Sequence, residues 1–218
     1  MSPDFQPTLS VLEAPQLQLW GELIGVPSSF VLCGGTAVAL HLGHRNSVDF
    51  DFFGAEEFDA DTLLNATPFL EHSKILQKSA STLTCLIDRG GPVKVSFFGV
   101  PTIRFINSAH VVAGNELRIA SLLDLAGLKA AVVQRRAEAK DYVDLDAIIR
   151  QGKIDLPTAL AAGKLIHGPS FNPELTLKSL CFFGDGNLPT LDRTVQDRLA
   201  TAVKAVDLDR LPTLVRSA

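Results

Sequence analysis

The spacing of hydrophobic and polar residues changes along the chain, and these changes predict its order of helices and strands. Apolar residues at helical spacing over residues 9–24 predict a first helix that starts or breaks at Pro15. The apolar run 30–33 predicts a buried strand, residues 36–42 a helix, and residues 49–53 a strand in which acidic and aromatic residues alternate. The first part of the chain therefore predicts a strand, a helix and a second strand in close succession.

The strand predicted over 49–53 carries two aspartates on one side. Because successive side chains of a strand point to opposite faces, Asp49 and Asp51 are expected to share one face. Phe50 and Phe52 are then expected in the core, on the other face. Two neighbouring carboxylates offer oxygen ligands for Mg²⁺, and beside a buried backbone they would be costly without a cation. An ordinary solvated sheet face is the alternative interpretation.

A pair of glycines, Gly34 and Gly35, separates the first strand from the helix that follows it. Neither has a Cβ and both tolerate positive φ, so the backbone can approach a phosphate closely. The helix, predicted to open near Thr36, would direct its free N–H groups and its positive dipole end toward an anion. A tight strand-to-helix turn without a ligand is the alternative.

The middle of the chain predicts a short helix and a hairpin. Residues 62–64 fall in a helical stretch, for which Asp59 or Asp61 would supply the N-cap. Residues 81–88 and 92–98 predict two strands joined by a glycine-containing turn. This hairpin is expected to extend the sheet that holds the aspartates.

From Ser121 onward the pattern becomes helical, with Ser121 as the N-cap and apolar residues at helical spacing. Lys129 and Arg136 are about two helical turns apart, so they are expected on one face of this helix. The alternative for Lys129 is a place on the polar edge of an amphipathic helix.

A second helix is predicted over 140–150, and Gly152 is expected to end it. It places Asp141 and Asp144 one turn apart. An ordinary helix ion pair, worth about 0.3–0.5 kcal/mol, is the alternative interpretation of Asp141. Prolines then separate short helices, and a last helix is predicted over 191–206. Together these patterns predict an α+β fold, with a mixed β-sheet core flanked by helices and a C-terminal helical bundle.

The composition is that of a protein with a substantial hydrophobic core, since 46% of its 218 residues are hydrophobic. We expect one structural domain, with a core and N-terminal helix over 1–150 and a helical extension packed on it over 151–218. No run of about 18 apolar residues and no signal-peptide pattern is present, so a cytoplasmic protein without a membrane partner is expected. Three widely spaced cysteines predict reduced core thiols, without a disulfide or a zinc site.

The net charge of −4 argues against nonspecific binding to nucleic acid, which requires a basic face. Positive charge is nevertheless concentrated in a short segment that holds Lys129, Arg135, Arg136 and Lys140. Such a cluster suits a triphosphate or an RNA end.

Two blocks of the sequence resemble the AbiEii/AbiGii-type nucleotidyltransferases, a branch of the polymerase-β-like nucleotidyltransferase superfamily that includes toxins of toxin–antitoxin systems. The first block reads Gly-Gly-Thr-Ala from Gly34, then Gly-His-Arg-Asn-Ser-Val-Asp-Phe-Asp-Phe from Gly43. The second block is a lysine, then basic residues, then a basic-Asp-x-x-Asp-Leu segment, here Lys129, Arg135, Arg136, Lys140, Asp141, Asp144 and Leu145. The resemblance covers roughly residues 25–150.

The resemblance implies a nucleotidyltransferase core in which Mg²⁺ assists transfer of a nucleoside monophosphate from an NTP to an acceptor hydroxyl. Asp49 and Asp51 would bind one or two Mg²⁺ ions. Lys129 would neutralise phosphate charge in the transition state, and Asp141 or Asp144 would orient that lysine or bind the acceptor. Further contacts to the nucleotide phosphates would come from Gly34, Gly35, Thr36, His44, Arg45, Ser47, Arg135 and Arg136.

The acceptor and the partners stay open at this point. The acceptor is an RNA end such as that of tRNA, a small molecule or a protein, and a cognate antitoxin is an expected partner. For His44 and Arg45, a role as C-terminal complements of the helix dipole is the alternative.

One position departs from the superfamily pattern, in which a third carboxylate often lies on the strand after the aspartates. Alternation along the strand 92–98 places Lys94 or Ser96 there, and neither is an acid. A base at Asp141 or Asp144 would compensate for this difference. A catalytically silent nucleotide-binding or partner-binding module of the same fold is the alternative function.

Overall fold

The structure, a computed structural model, describes residues 5–217. Its contacts group the chain into two compact units. The first unit contains the chain up to Ile103 together with Ala109–Ala120, and the second contains Arg104–Ser108 and the chain from Ser121 onward. The division into a core and an extension at residue 150 stays a prediction.

The first unit is built on a mixed β-sheet. Its strands in the described part of the chain are β1 (Phe30–Cys33), β2 (Asp49–Gly54), β3 (Lys74–Ser79), β4 (Thr82–Asp88), β5 (Pro92–Gly99), β6 (His110–Val111) and β7 (Arg118–Ile119). They follow the order β3-β4-β5-β2-β1-β7-β6 across the sheet. The interior strand β2 pairs antiparallel with β1 and parallel with β5. The predicted hairpin, β4 and β5, is confirmed as an extension of the sheet that holds the aspartates.

The described α-helices of the first unit are α1 (Ala14–Trp20), α2 (Gly34–Leu42) and α3 (Ala60–Ala66). Pro15 occupies the first turn of α1, where a proline lacks only an N–H that the helix leaves unpaired. Asp59 is the N-cap of α3, and its carboxylate accepts a hydrogen bond of 2.7 Å from the Thr62 N–H. These starts agree with the sequence predictions.

The alternation predicted for β2 is confirmed. Phe50 and Phe52 are fully buried, whereas Asp49 and Asp51 are partly exposed. The Phe52 ring stacks on Phe97 of β5, with ring centroids 5.2 Å apart. Each fully buried phenylalanine contributes about 1.5–3 kcal/mol, so the packing of the apolar face determines which face of β2 carries the aspartates.

The described residues of the second unit are mainly helical. Its α-helices are α4 (Leu122–Val132), α5 (Ala139–Gln151), α6 (Leu156–His167), α7 (Pro173–Ser179) and α8 (Arg193–Lys204). Ser121 caps α4 by accepting a hydrogen bond of 3.1 Å from the Asp124 N–H. Gly152 ends α5, as expected. Helix α4 packs closely on α6 at Gly127, where an added Cβ would lie 2.8 Å from the α6 backbone.

Several local predictions differ from the structure. The helix predicted from Ser121 ends at Val132, so the expectation that Arg136 shares its face with Lys129 is wrong. The Arg135 N–H bonds to the Val132 carbonyl at 2.9 Å, which turns the chain out of the helix. Helix α2 begins at Gly34, two residues before the predicted start.

The fold class is α+β, as the sequence predicts. Among the described residues, no helix is both long enough and apolar enough to cross a membrane. Cys33 and Cys85 are buried free thiols, as expected, but Cys181 is exposed and does not belong to the core.

Candidate functional site

The two aspartates of β2, Asp49 and Asp51, form the centre of the first group of predicted site residues, and we call them the aspartate pair. Asp51 lies opposite Cys33 of β1 and opposite Ser96 of β5. The side chain of Asp49 is about one quarter exposed. Because β2 is an interior strand, hydrogen bonds to both neighbours hold the backbone of the aspartate pair.

The start of α2 adjoins the aspartate pair. Strand β1 runs directly into this nine-residue helix, with Cys33 as the N-cap and without a side-chain capping bond from it. Gly34 has a φ of +71°, and a Cβ added to it would lie 3.0 Å from Oδ2 of Asp51. Any other residue would be strained at this φ and would crowd the Asp51 carboxylate. The result is a carboxylate next to a helix end that favours anions.

Thr36 connects α2 to the segment that leads into β2. Its side chain is 2% exposed. The Thr36 hydroxyl lies 2.8 Å from the Ser47 hydroxyl and donates to the Asp49 carbonyl oxygen. Both hydroxyls are thus engaged inside the protein, where they position the backbone of Asp49. A direct contact of Thr36 or Ser47 with phosphate stays a prediction.

His44 and Arg45 lie between α2 and β2. Gly43 ends α2 in the left-handed conformation, and both residues follow it with half-buried side chains. Nη1 of Arg45 donates a hydrogen bond of 2.8 Å to the Asn46 carbonyl. Their predicted contacts with phosphate, like their alternative role at the helix end, stay predictions.

Lys94 of β5 is a site residue to which the sequence alone assigns no role. It lies directly opposite Asp49, and its Nζ is 2.8 Å from Oδ2 of Asp49. Ser96, 2% exposed, is opposite Asp51. The expectation that this face of β5 carries Lys94 and Ser96 instead of an acid is confirmed. The part of the chain that the structure describes contains no group of three or more His, Cys, Asp or Glu side chains arranged for a metal.

The second group of predicted site residues lies in the second unit and forms an ion-pair network of Lys129, Arg136, Asp141 and Asp144. Nζ of Lys129 is 2.7 Å from Asp141 and 2.6 Å from Asp144. Nε of Arg136 donates a hydrogen bond of 2.7 Å to Asp141. Lys129 is 5% exposed, and both aspartates are fully buried. This burial does not fit the alternatives, which were a polar helix edge for Lys129 and an ordinary helix ion pair for Asp141.

The electrostatics of the ion-pair network favour charged groups. Burial alone would raise the pKa of Asp141. The hydrogen bond from Arg136 and the positive charge of Lys129 outweigh burial, and the pKa of Asp141 lies below its ordinary value. Asp141 is therefore an ionised carboxylate at neutral pH.

The remaining basic residues of the second block are at the surface. Arg135 lies exposed in the turn after α4 and forms no ion pair with a described residue. Lys140 is paired with Glu138 at 3.1 Å. The basic cluster of the sequence is thus divided between the buried Lys129 and exposed residues that a ligand can reach.

The sequence matches a known family over most of its length. The profile described as "Nucleotidyl transferase AbiEii toxin, Type IV TA system" matches residues 22–209. The chain belongs to the AbiEii nucleotidyltransferase toxin family. A protein of Aquifex aeolicus (strain VF5), aq_aa25, for which no function is stated, is 33% identical over 168 residues, covering 74% of this chain and 77% of that protein.

Solved structures of nucleotidyltransferases share the AbiEii-family fold of this chain. MenT4, a nucleotidyltransferase toxin of Mycobacterium tuberculosis H37Rv, has a TM-score of 0.60 and 15% identity, over 89% of this chain and 83% of MenT4. A protein of H. pylori assigned as a nucleotidyltransferase has a TM-score of 0.53 and 16% identity, over 87% of this chain and 92% of its own. At these identities the likeness concerns the fold.

Proposed function

We propose that the protein transfers a nucleoside monophosphate from an NTP to an acceptor hydroxyl and releases pyrophosphate, with Mg²⁺ held by the aspartate pair. The observation that carries this proposal is the close approach of Gly34 to Asp51. A helix start offers N–H donors to phosphate, and carboxylates offer oxygen ligands to Mg²⁺. Membership of the AbiEii family supports the reaction class.

The aspartate pair is chemically suited to Mg²⁺. Both groups supply carboxylate oxygens, and Mg²⁺ is commonly held by one or two carboxylates together with substrate phosphates and water. The absence of a Cβ at position 34 allows the start of α2 to lie close to the Asp51 carboxylate. When bound there, the ion supplies positive charge to the attacking and leaving oxygens of an in-line displacement.

The residues around the aspartate pair have distinct roles in this proposal. The N–H groups of Gly34 and Gly35 bind the β- and γ-phosphates. Thr36 and Ser47 position Asp49 through their hydrogen bonds. His44 and Arg45 supply further contacts to the triphosphate.

In this proposal Lys129 contributes positive charge, and its ion pairs with Asp141 and Asp144 hold that charge in a fixed position. An ammonium has three N–H donors, and Asp141 and Asp144 each accept one from Lys129. Membership of the AbiEii family supports a role for Lys129 in neutralising the negative charge that develops on the phosphates. Arg135 and Arg136, in the turn after α4, add charge for the same purpose. A base at Asp141 or Asp144, in place of the acid that β5 lacks, stays a prediction, because both carboxylates are fully buried in ion pairs with Lys129.

The acceptor class follows from an experiment with cell fractions. Each α-labelled NTP is incubated with Mg²⁺, the protein and separate RNA, protein and small-molecule fractions. Label is expected in one fraction, with tRNA as the first RNA to examine, and neither Asp49→Asn nor Asp51→Asn should transfer it. Asp61→Asn, which changes an exposed aspartate of α3, is the control and should act like wild type. Equal labelling by the Asp51 variant would contradict the proposal. A small antitoxin, co-purifying with the toxin, is the partner proposed from the family.

A catalytically silent nucleotide-binding module is the second candidate, and Ser96 opposite Asp51 favours it because β5 carries no third acid. Thermal-shift measurements with each NTP, with and without Mg²⁺, separate the two candidates. A Mg²⁺-dependent rise in melting temperature that Asp49→Asn abolishes, without transfer to any fraction, would select the silent module. No rise with any nucleotide would exclude both.

A further inference from the structure

Lys94 places a positive charge against one of the two aspartates. Its Nζ lies 2.8 Å from Oδ2 of Asp49, a distance at which an ammonium donates a charge-assisted hydrogen bond. Its side chain is 40% exposed, so a ligand that reaches the aspartate pair also reaches this ammonium.

The sheet fixes the position from which Lys94 extends. Strands β2 and β5 pair in parallel without a shift, from Asp49 opposite Lys94 to Gly54 opposite Gly99. The stacked rings of Phe52 and Phe97 hold the same two strands together on the opposite face. The lysine therefore reaches Asp49 without movement of the backbone.

The charges at the site determine how many divalent ions it accommodates. The aspartate pair carries two negative charges, and Lys94 compensates one of them. A divalent ion bound through Oδ2 of Asp49 would have to displace the ammonium or lie next to it, and like charges at such distances repel strongly.

We propose that Lys94 is a positioning residue whose ammonium takes the place of one divalent ion at Asp49, so that the aspartate pair holds a single ion. This inference rests on the proposed function and specifies the ion content of its site. Part of the charge that neutralises the triphosphate then belongs to the protein and is present before any ion binds.

The test is a titration of the full chain with Mn²⁺, in which electron paramagnetic resonance measures the free ion. Wild type is expected to bind one Mn²⁺ per chain. Lys94→Met and Lys94→Gln, which both remove the charge, are expected to bind two. Lys94→Arg, which keeps the charge, should bind one. Lys78→Met, which removes an exposed lysine of β3, is the matched control and should also bind one.

The outcomes separate this inference from the proposed function. Two Mn²⁺ ions bound by wild type, or one bound by both neutral variants, would overturn the role of Lys94 and leave the nucleotide site standing. No Mn²⁺ bound by wild type or by the neutral variants would also overturn the inference, and the labelling experiment would then decide the proposed function by itself.

Discussion

At the scale of single residues, the ion-pair network shows how a charged side chain is kept inside the protein. Lys129 is buried between two carboxylates, and Arg136 completes the partners of Asp141. Removing water from a charge is costly unless its partners are in place. The charges of this network therefore depend on one another. Removing one of them leaves its buried partners without compensation and destabilises the fold.

Replacing Lys129 with methionine is expected to lower the free energy of unfolding by about 3–5 kcal/mol, because two buried carboxylates would lose their shared partner. Urea denaturation measures the change. Lys140→Met removes an exposed lysine nearby and is expected to stay within about 0.5 kcal/mol of wild type. A loss below about 1 kcal/mol for Lys129→Met would show that the network is not buried as described.

A second residue-scale prediction concerns His41 of α2. Burial, more than any other effect, lowers its pKa from 6.5 to about 4, while its Nε2 donates a hydrogen bond of 2.9 Å to the Ala120 carbonyl. The unfolded chain therefore binds more protons than the folded one between these two values. The stability from His41 is fully present above about pH 6.5 and is lost progressively as pH falls toward 4.

Between pH 7 and pH 5 this effect is expected to reduce the free energy of unfolding by about 1–2 kcal/mol. The variant His41→Gln should lack this pH-dependent loss of stability. The variant His72→Gln, which changes an exposed histidine, should retain it. Asp141 does not contribute to the change in stability between pH 7 and pH 5, because its pKa lies below its ordinary value of 3.8. The same pH dependence in His41→Gln and wild type would contradict the assignment.

At the scale of secondary structure, the unit that carries the candidate site is the succession of β1, α2 and β2. The order of these three elements is predictable because a buried apolar run, a glycine pair and a strict alternation are local patterns. Strand β3 is not predictable, since all of its residues are exposed and no alternation marks it. Strands β6 and β7 are two residues long, too short for any period.

The junction of β1 with α2 is tested by Gly34→Ala. Alanine at a φ of +71° is strained, and its Cβ would lie 3.0 Å from the Asp51 carboxylate. We expect a loss of stability of about 1–2 kcal/mol and a loss of nucleotide affinity of at least about tenfold, measured by urea denaturation and calorimetric titration. Gly21→Ala, where an added Cβ meets nothing within 4 Å, is the control. Unchanged nucleotide affinity in Gly34→Ala would remove this junction from the site.

At the scale of the whole molecule, the two blocks of the sequence fall in different units of the structure. The reaction class is predictable because each block is a compact motif and both together are specific to one family. The ion pairs are less predictable from the sequence. No local pattern indicates that Asp141 and Asp144 surround Lys129, or that Lys94 reaches Asp49 across the sheet, because the partners come from separate elements.

In the proposed function, nucleotidyl transfer depends on the aspartate pair. The most direct measurement is the initial rate at which Asp51→Asn transfers label from an α-labelled NTP, in the presence of Mg²⁺ and the acceptor fraction that wild type labels. The account predicts a rate at least about 100-fold below that of wild type, since the ligand of the Mg²⁺ that stabilises the transferring phosphate is lost. Asp61→Asn should stay within about twofold. A rate for Asp51→Asn equal to that of wild type would contradict the account.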